Sequence, residues 1–589
     1  MIKNPFEIKT PEQNSADEIV SLFVDVFTDF FQVKETNHTF INGPRGSGKS
    51  MMFRYILPDC QKIVKKCEFN ELDFFSIYIP IKKTNINIVD FERLENHANT
   101  VLNEHLLVTY VLSISFEFIA DTIKEELNNY DQEIQNFYEK EFISLLRLAG
   151  YQEAKMNLKA NGVNLFKQMA KVLDHMYREC SNYCKRIAIQ NEIVPYNGPL
   201  VDFIDFLLPL FQELNKLSFF PPNKAFYLLF DDAGYLNKEQ TKILNTWVSY
   251  RTTKDICIKI STQHDYLTYL TSTGKRIDSP HDYSEINIAT KYTSSGEDYY
   301  KRIKMIVEKR LDVYLGLEIN AEDFFPEDEE QEKRIREIYD EIAEKKFDPI
   351  KKYQGTDAAR RYCRSEFVKE RKSGKSGMTY SYAGFNQLVA ISSGVIRHFL
   401  APAQEMYSLL LSRNQDSEIK FIPDNFQNEI ITNYSEKFLT DEFDKIFTDS
   451  KDDAAQLKKA DKLKNLVDSL GELFHAIFVS ERADRVVFSV ALNDRPDTEL
   501  QEVIDLGIKY GYFHKSTIGN KTGTGRNSLY ILSRVLAPYY KLNPLGFFGY
   551  QFMSSDTLKI ALTKPKDFIN LYIKRLEKPE NEAELTLFD

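Results

Sequence analysis

The chain has 589 residues, 43% of them hydrophobic and 13% aromatic, with a formal net charge of −11. That length exceeds one compact core and predicts roughly three to four structural units, while the hydrophobic content and the lack of Pro-, Ser- or Gln-rich tracts exclude long disordered regions. The acidic balance excludes a global electrostatic drive toward nucleic acid, so any such site must be local, and six cysteines without regular spacing read as reduced thiols, not a disulfide framework.

The first residues carry no basic flank leading into an apolar core, so no secretory signal is read and a cytoplasmic location is expected. Residues 16–31 predict a helix, and residues 38–42 a short buried strand. Directly after that strand, residues 43–50 satisfy the G-x-x-x-x-G-K-[ST] phosphate-loop pattern, and Met51 to Leu57 is helix-compatible. Gly43, Gly46 and Gly48 let the backbone curl until its N–H groups converge on a phosphate at a helix N-terminus. The expected cradle is Gly43, Pro44, Arg45, Gly46, Ser47, Gly48, Lys49, Ser50 and Met51, with Lys49 on the β/γ oxygens and Ser50 on Mg²⁺. This motif predicts binding of ATP or GTP.

Residues 75–81 predict a second strand, and 89–193 carry mostly helical periodicity. Within the latter, Leu106 to Ala120 is the longest apolar stretch; interrupted by Ser113, Ser115 and Glu117, it falls short of the roughly 20 residues that span a bilayer and reads as a buried helix. Cys180 and Cys184 form the one close cysteine pair, but no second pair with ligand spacing follows. Residues 225–230 are apolar and end in Asp231 and Asp232, as expected of a central parallel strand. Asp231 is the expected Mg²⁺ residue, and Asp232 stands where many ATPases place a glutamate general base. Residues 256–260 form a further strand ending in Ser261, Thr262 and Gln263.

Farther on, 321–348 holds twelve acids against five bases and 351–375 nine bases against three acids, a pattern that pairs across a helical hairpin. The triplet Gly374, Lys375, Ser376 lacks the leading glycine and strand of a phosphate loop. Gly394 breaks the pattern before an amphipathic helix carrying Arg397. In the C-terminal third, helices at 463–479 and 499–508 precede strands at 512–518 and 528–533, joined by a glycine-rich loop as in a wing. Residues 506–555 hold six Lys or Arg and no acid, a local electropositive surface that singles out Lys515, Lys521 and Arg526 for nucleic acid, although Glu499, Glu502 and Asp505 on the preceding helix oppose it. Winged modules also dock proteins, so both partners stay open.

These elements, with Asn4, Pro5 and Phe6 ahead of the first helix, resemble AAA+ ATPases of the origin-recognition or initiator type over roughly residues 1–85, 220–315, 380–410 and the C-terminal module. The resemblance implies ATP with Mg²⁺, adenine enclosed by residues 4–6, and Gln263 (or Thr262) at the attacking water. It also implies that Arg397 reaches the γ-phosphate from the lid and that Arg276 is presented to a neighbouring subunit. The expected architecture is an α/β P-loop AAA+ parallel-sheet core (1–88 and 200–290). To it are added a helical insertion (89–199), a helical lid (291–412) with a charged insertion (320–377), and a winged-helix-like domain (413–589). The expected function is an ATP-binding, ATP-hydrolysing switch or assembly factor that engages DNA, with self-assembly or a separate effector as further partners and no membrane. A STAND-like signalling or defence NTPase and a nucleotide-binding scaffold without turnover are the alternatives.

Overall fold

The computed structural model describes residues 3–25, 30–83, 93–151, 161–190, 192, 194–263, 266–288, 296–344, 355–373, 380–413, 419–449, 453–480, 486–519, 525–545 and 548–577. The chain divides into two compact units, Lys9–Ile288, and Met1–Ile8 with Ala289–Asp589.

In the first unit, strands β1 (Thr39–Asn42), β2 (Phe75–Pro80), β3 (Phe226–Asp231), β4 (Ile256–Thr262) and β5 (Ser284–Asn287) form one parallel sheet in the order β2-β3-β4-β1-β5. Strands β1, β3 and β4 are buried along their whole length, as a parallel sheet covered on both faces requires. The phosphate-loop strand and the acidic strand are therefore not neighbours, because β4 lies between them. Register does the rest. Phe230 opposite Ile260 brings Asp231 level with Ser261, and Asn42 opposite Thr262 brings the start of the loop one step beyond. The edge strand β5 was not expected, since its four residues Ser-Glu-Ile-Asn include one buried apolar side chain and present no hydrophobic run.

The helices of the expected insertion are not a separate body. Asn96–Thr122 and Gly162–Ile189 contribute Leu107, Val111, Phe116, Phe166 and Met169 to the same apolar core as Ile77, Phe226 and Ile258 of the sheet. Among the described residues one helix, His97–Thr122, is long and apolar enough to cross a membrane, and its apolar side chains fill this core. A polar seam fixes its rotation: Gln240 Nε2 donates to Asn103 Oδ1 at 3.1 Å, and Trp247 Nε1 to Glu104 Oε1 at 3.0 Å. Cys180 and Cys184 are buried against Leu102 and Leu106, and no cluster fit for a metal ion occurs among the described residues. The helix expected over 16–31 is broken into Ala16–Leu22 and Phe30–Lys34. Phe23 turns extended, and its ring stacks on Tyr55 at 3.7 Å, so an aromatic contact outweighs helix continuation.

In the second unit, Phe6 is fully buried with its ring 5.9 Å from Phe324, 5.6 Å from Phe325 and 6.3 Å from Tyr407. Asn4 Nδ2 donates to the Gln404 carbonyl and Arg310 to the Pro5 carbonyl, both at 2.9 Å. The segment before Lys9 groups with this unit, and the Phe6 ring is packed in its hydrophobic core. The charged region is a hairpin of Glu329–Ala343 and Thr356–Ser373 around Ile335, Ile338, Tyr362 and Phe367. Its ion pairs run both ways, Arg364 gripping Glu332 through two bonds (3.0 and 2.9 Å) and Arg334 reaching Glu370 at 2.9 Å. Residues 374–379, with the Gly-Lys-Ser triplet, lie outside the described residues.

The C-terminal module is a mixed sheet with helices. Helix Ala454–Phe478 is followed by β6 (Val486–Leu492), helix Thr498–Lys509, β7 (Phe513–Gly519), β8 (Arg526–Leu532), β9 (Phe548–Met553) and two closing helices, Ser555–Thr563 and Pro565–Glu577. The sheet order is β7-β8-β6-β9. The hairpin β7–β8 is the expected wing, whereas β6 and β9, paired in parallel, were not anticipated.

One buried cation ties the first unit together. Lys259 of β4 is wholly buried and donates to Glu35 O (2.7 Å), Asn37 O (2.7 Å), Asn37 Oδ1 (2.9 Å) and Thr39 Oγ1 (3.0 Å), with its ammonium 4.8 Å from the Tyr227 ring centroid. Burial pushes its pKa down to about 7, and these oxygens stand in for a carboxylate partner. Replacing Lys259 by Met strips a charged donor from four oxygens and is expected to destabilise this unit by roughly 3 kcal/mol. Urea unfolding followed by the fluorescence of Trp247, the single and fully buried tryptophan, measures this unit selectively.

Candidate functional site

The loop between β1 and helix Lys49–Tyr55 bends through Gly46 (φ 86°) and Gly48 (φ 97°), both in the left-handed region that a side chain disfavours. At Gly43 a Cβ would sit 3.0 Å from Ser47 Oγ and 3.1 Å from Ile288 Cβ, so this position too is shaped for a bare backbone. Lys49 is 6% exposed and donates to the Gly43 carbonyl at 2.7 Å and the Pro44 carbonyl at 3.1 Å. The Ser47 hydroxyl is buried with no protein partner. A curled loop at a helix N-terminus, a buried ammonium and an unclaimed hydroxyl are a donor set that fits a polyphosphate.

Across the sheet, Asp231 is 4% exposed and its carboxylate is held on both oxygens. Ser261 Oγ donates to Oδ1, the Asp232 N–H donates to the same oxygen at 3.2 Å, and Tyr78 OH donates to Oδ2 at 2.8 Å. Tyr78 is placed by strand geometry: it pairs with Leu229, two residues before Asp231, and so shares its face of the sheet. Asp232 follows in the left-handed region (φ 56°, ψ 44°), where the chain leaves the strand for the turn Ala233–Tyr235. Burial and the Asp231 charge raise the Asp232 pKa above the ordinary carboxylate value, opposed by Lys49, Lys82 and Arg45. The phosphate loop and both acids therefore share one end of the sheet. Ser50 is the second residue of the loop helix, and its hydroxyl and the Asp231 carboxylate are oxygen groups of the kind that suit Mg²⁺.

Thr262 is fully buried and donates to Asn42 Oδ1 at 2.9 Å, while Asn42 Nδ2 donates to Glu285 Oε1 at 2.6 Å. The Thr262 hydroxyl, which also lies against the Gln263 carbonyl, links β4 to β1, and half-buried Gln263 follows the strand. Arg276 is exposed, 3.7 Å from Asp278 and over the Tyr269 ring at 5.4 Å. Pattern reading missed Tyr78, whose signal was a polar atom in the middle of a strand expected to be buried, and the grip of Ser261 on Asp231, which only the register shows.

Arg397 belongs to the other unit and is exposed in the first turn of helix Ile396–Arg413. The turn before it is strained, with Ser393 (φ 54°) and Gly394 (φ 80°) both left-handed. Ser393 Oγ accepts from the Arg534 N–H at 3.2 Å and lies 3.3 Å from His514 Nε2 on β7. His398 Nδ1 lies 2.8 Å from Tyr434 OH. The start of the arginine-bearing helix is thus bolted to the wing sheet. On that sheet Lys515 and Arg526 are exposed, and the register Lys515–Tyr530, Gly519–Arg526 puts both on one face. Lys521 lies outside the described residues. The acids that oppose this surface are largely paired: Glu499 with Lys462 and Lys559, and Glu502 with Lys459 at 2.6 Å.

A family model described as ORC-CDC6-like matches residues 4–357 and 350–551. No match is found among curated proteins.

Asp232 generates a pH prediction. Its folded pKa lies above the unfolded value, so between the two the folded state binds more protons and stability falls as pH rises. At neutral pH the charged carboxylate is therefore a cost, and Asp232→Asn is expected to be more stable than wild type. That gap should close as the pH is lowered through the raised pKa toward the unfolded value, read again by Trp247 fluorescence.

Proposed function

Because the chain belongs to the ORC-CDC6-like family, an AAA+ initiator-type family, we propose that it is an ATP-dependent switch whose C-terminal module engages DNA. The observation that carries the reading is the curled loop with its buried Lys49 at the same end of the sheet as the doubly held Asp231. In this reading the N–H groups of residues 45–51 bind the phosphates, Lys49 neutralises the β/γ oxygens, and Ser50 and Asp231 hold Mg²⁺ directly or through water. Bound there, Mg²⁺ supplies positive charge to the oxygens between which the phosphoryl group is transferred. Asp232, with its raised pKa, takes the proton of the attacking water; Gln263 orients that water. Arg397 and Arg276 are the arginines proposed to stabilise the transferring phosphoryl group, one from the lid and one from a neighbouring copy.

The DNA arm rests on Lys515 and Arg526 sharing one exposed face of the wing, while Glu499 and Glu502 of helix Thr498–Lys509 are paired with lysines of flanking helices; Lys521, outside the described residues, is proposed as a third contact from sequence alone. The Ser393 contact to His514 and the Arg534 N–H gives this sheet a physical link to the arginine-bearing helix from its buried side. That link supports a switch in which nucleotide and nucleic acid bias one element.

Lys49→Ala is expected to weaken ATP binding by at least about tenfold, or ~1.4 kcal/mol, and equal affinity in titration calorimetry would sink the reading. Asp232→Asn is expected to keep ATP affinity and lose multiple-turnover phosphate release by about 10²-fold. For the DNA arm, duplex affinity measured by anisotropy should fall with salt. Neutralising Lys515 and Arg526 together should lower the log–log slope by about 2. A flat salt response in wild type would assign the wing to protein docking.

A further inference from the structure

Tyr78 OH lies 2.8 Å from Asp231 Oδ2 and 3.0 Å from Glu12 Oε1. A phenol has one proton and can donate to one of these carboxylates at a time. Burial and the two acids push the Tyr78 pKa upward, which keeps that proton in place. Glu12 sits in the single turn Pro11–Gln13 near the start of this unit and is solvent-exposed, whereas Asp231 is buried at the end of β3. The other oxygen of Asp231 is already fixed by Ser261 and the Asp232 N–H, so the Tyr78 bond decides whether the carboxylate is held at both ends or can swing about one.

We infer that Tyr78 is a positioning residue for the metal-holding carboxylate Asp231, and that Glu12 competes for its proton, so the N-terminal turn tunes Mg²⁺ binding from outside the site. This rests on the nucleotide-binding reading above. When Tyr78 donates to Asp231, the carboxylate is held on both oxygens and so pre-oriented. When Tyr78 donates to Glu12, that orientation is lost. Groups that orient a metal ligand from behind typically govern about 10- to 100-fold in metal affinity. Glu12 acts only through the phenol, so its effect must vanish when the hydroxyl is gone.

The test is a double-mutant cycle on the full chain, with fluorescent ATP titrated in EDTA and in Mg²⁺, and Mn²⁺ binding to the ATP complex followed by electron paramagnetic resonance. Tyr78→Phe is expected to leave affinity in EDTA within about twofold while cutting the Mg²⁺ enhancement and the Mn²⁺ affinity by about 10- to 100-fold. Glu12→Ala should raise both severalfold in the wild-type background and change neither in the Tyr78→Phe background. An unchanged metal enhancement in Tyr78→Phe, an equal loss in EDTA, or a Glu12→Ala effect of the same size in both backgrounds would each overturn the inference. Should Tyr78→Phe fail to fold, Glu12→Ala alone decides, and no gain in metal affinity overturns it. A wild-type chain that binds no ATP in either EDTA or Mg²⁺ removes the nucleotide-binding reading and this inference with it, a result distinct from intact binding with unaltered metal dependence.

Discussion

A carboxylate buried at the end of an all-apolar strand has to be given donors, and the site is organised around that requirement. Six residues of β3 are buried, and Asp231 is the last of them. An uncompensated charge there would cost several kcal/mol or stay protonated. The donors come from the neighbouring strands: Ser261 from β4 on one side and Tyr78 from β2 on the other. That explains why β4 ends in hydroxyl residues and why β2 carries a tyrosine among isoleucines. Strand order makes the arrangement work. With β4 lying between the loop strand and the acidic strand, its polar end touches both, holding Asp231 through Ser261 and Asn42 through Thr262.

What the sequence discloses follows from whether a signal is local. The phosphate loop is eight consecutive residues between a strand and a helix, and each part of its chemistry is written within that span. Asp231 is legible for the same reason, as an acid closing an apolar run. Its partners lie 153 and 30 residues away, and no period or motif connects them; they meet because parallel register brings them level. The strands that escaped notice also fail locally: β5 is short and polar at the sheet edge, and β6 follows helix Ala454–Phe478 across residues 481–485, so its apolar run reads as readily as more of the helical pattern. The break at Phe23 is likewise invisible, because the stacking partner Tyr55 is supplied by another helix.

Charge is handled differently in the two units. In the first, the helical insertion joins the sheet through one apolar core with a narrow amide seam, so its burial is hydrophobic and its orientation is set by hydrogen bonds. In the second, opposed charge blocks meet across a hairpin, and lysines of flanking helices pair with Glu499 and Glu502 of helix Thr498–Lys509. The net acidity of the chain is thereby no guide to the wing, where the exposed bases Lys515 and Arg526 share a face and two acids of the preceding helix, Glu499 and Glu502, are already paired.

The placement of Phe6 bears on how the protein is made. Its ring is buried among Phe324, Phe325 and Tyr407, so during synthesis it emerges some 318 to 401 positions ahead of the rings it packs against. At ordinary elongation rates that is an interval of roughly 20–80 s during which Phe6 lacks its native packing. Completion of the second unit therefore joins a segment made before the first unit to partners made after it, held by the Asn4 bond to Gln404 and the Arg310 bond to Pro5.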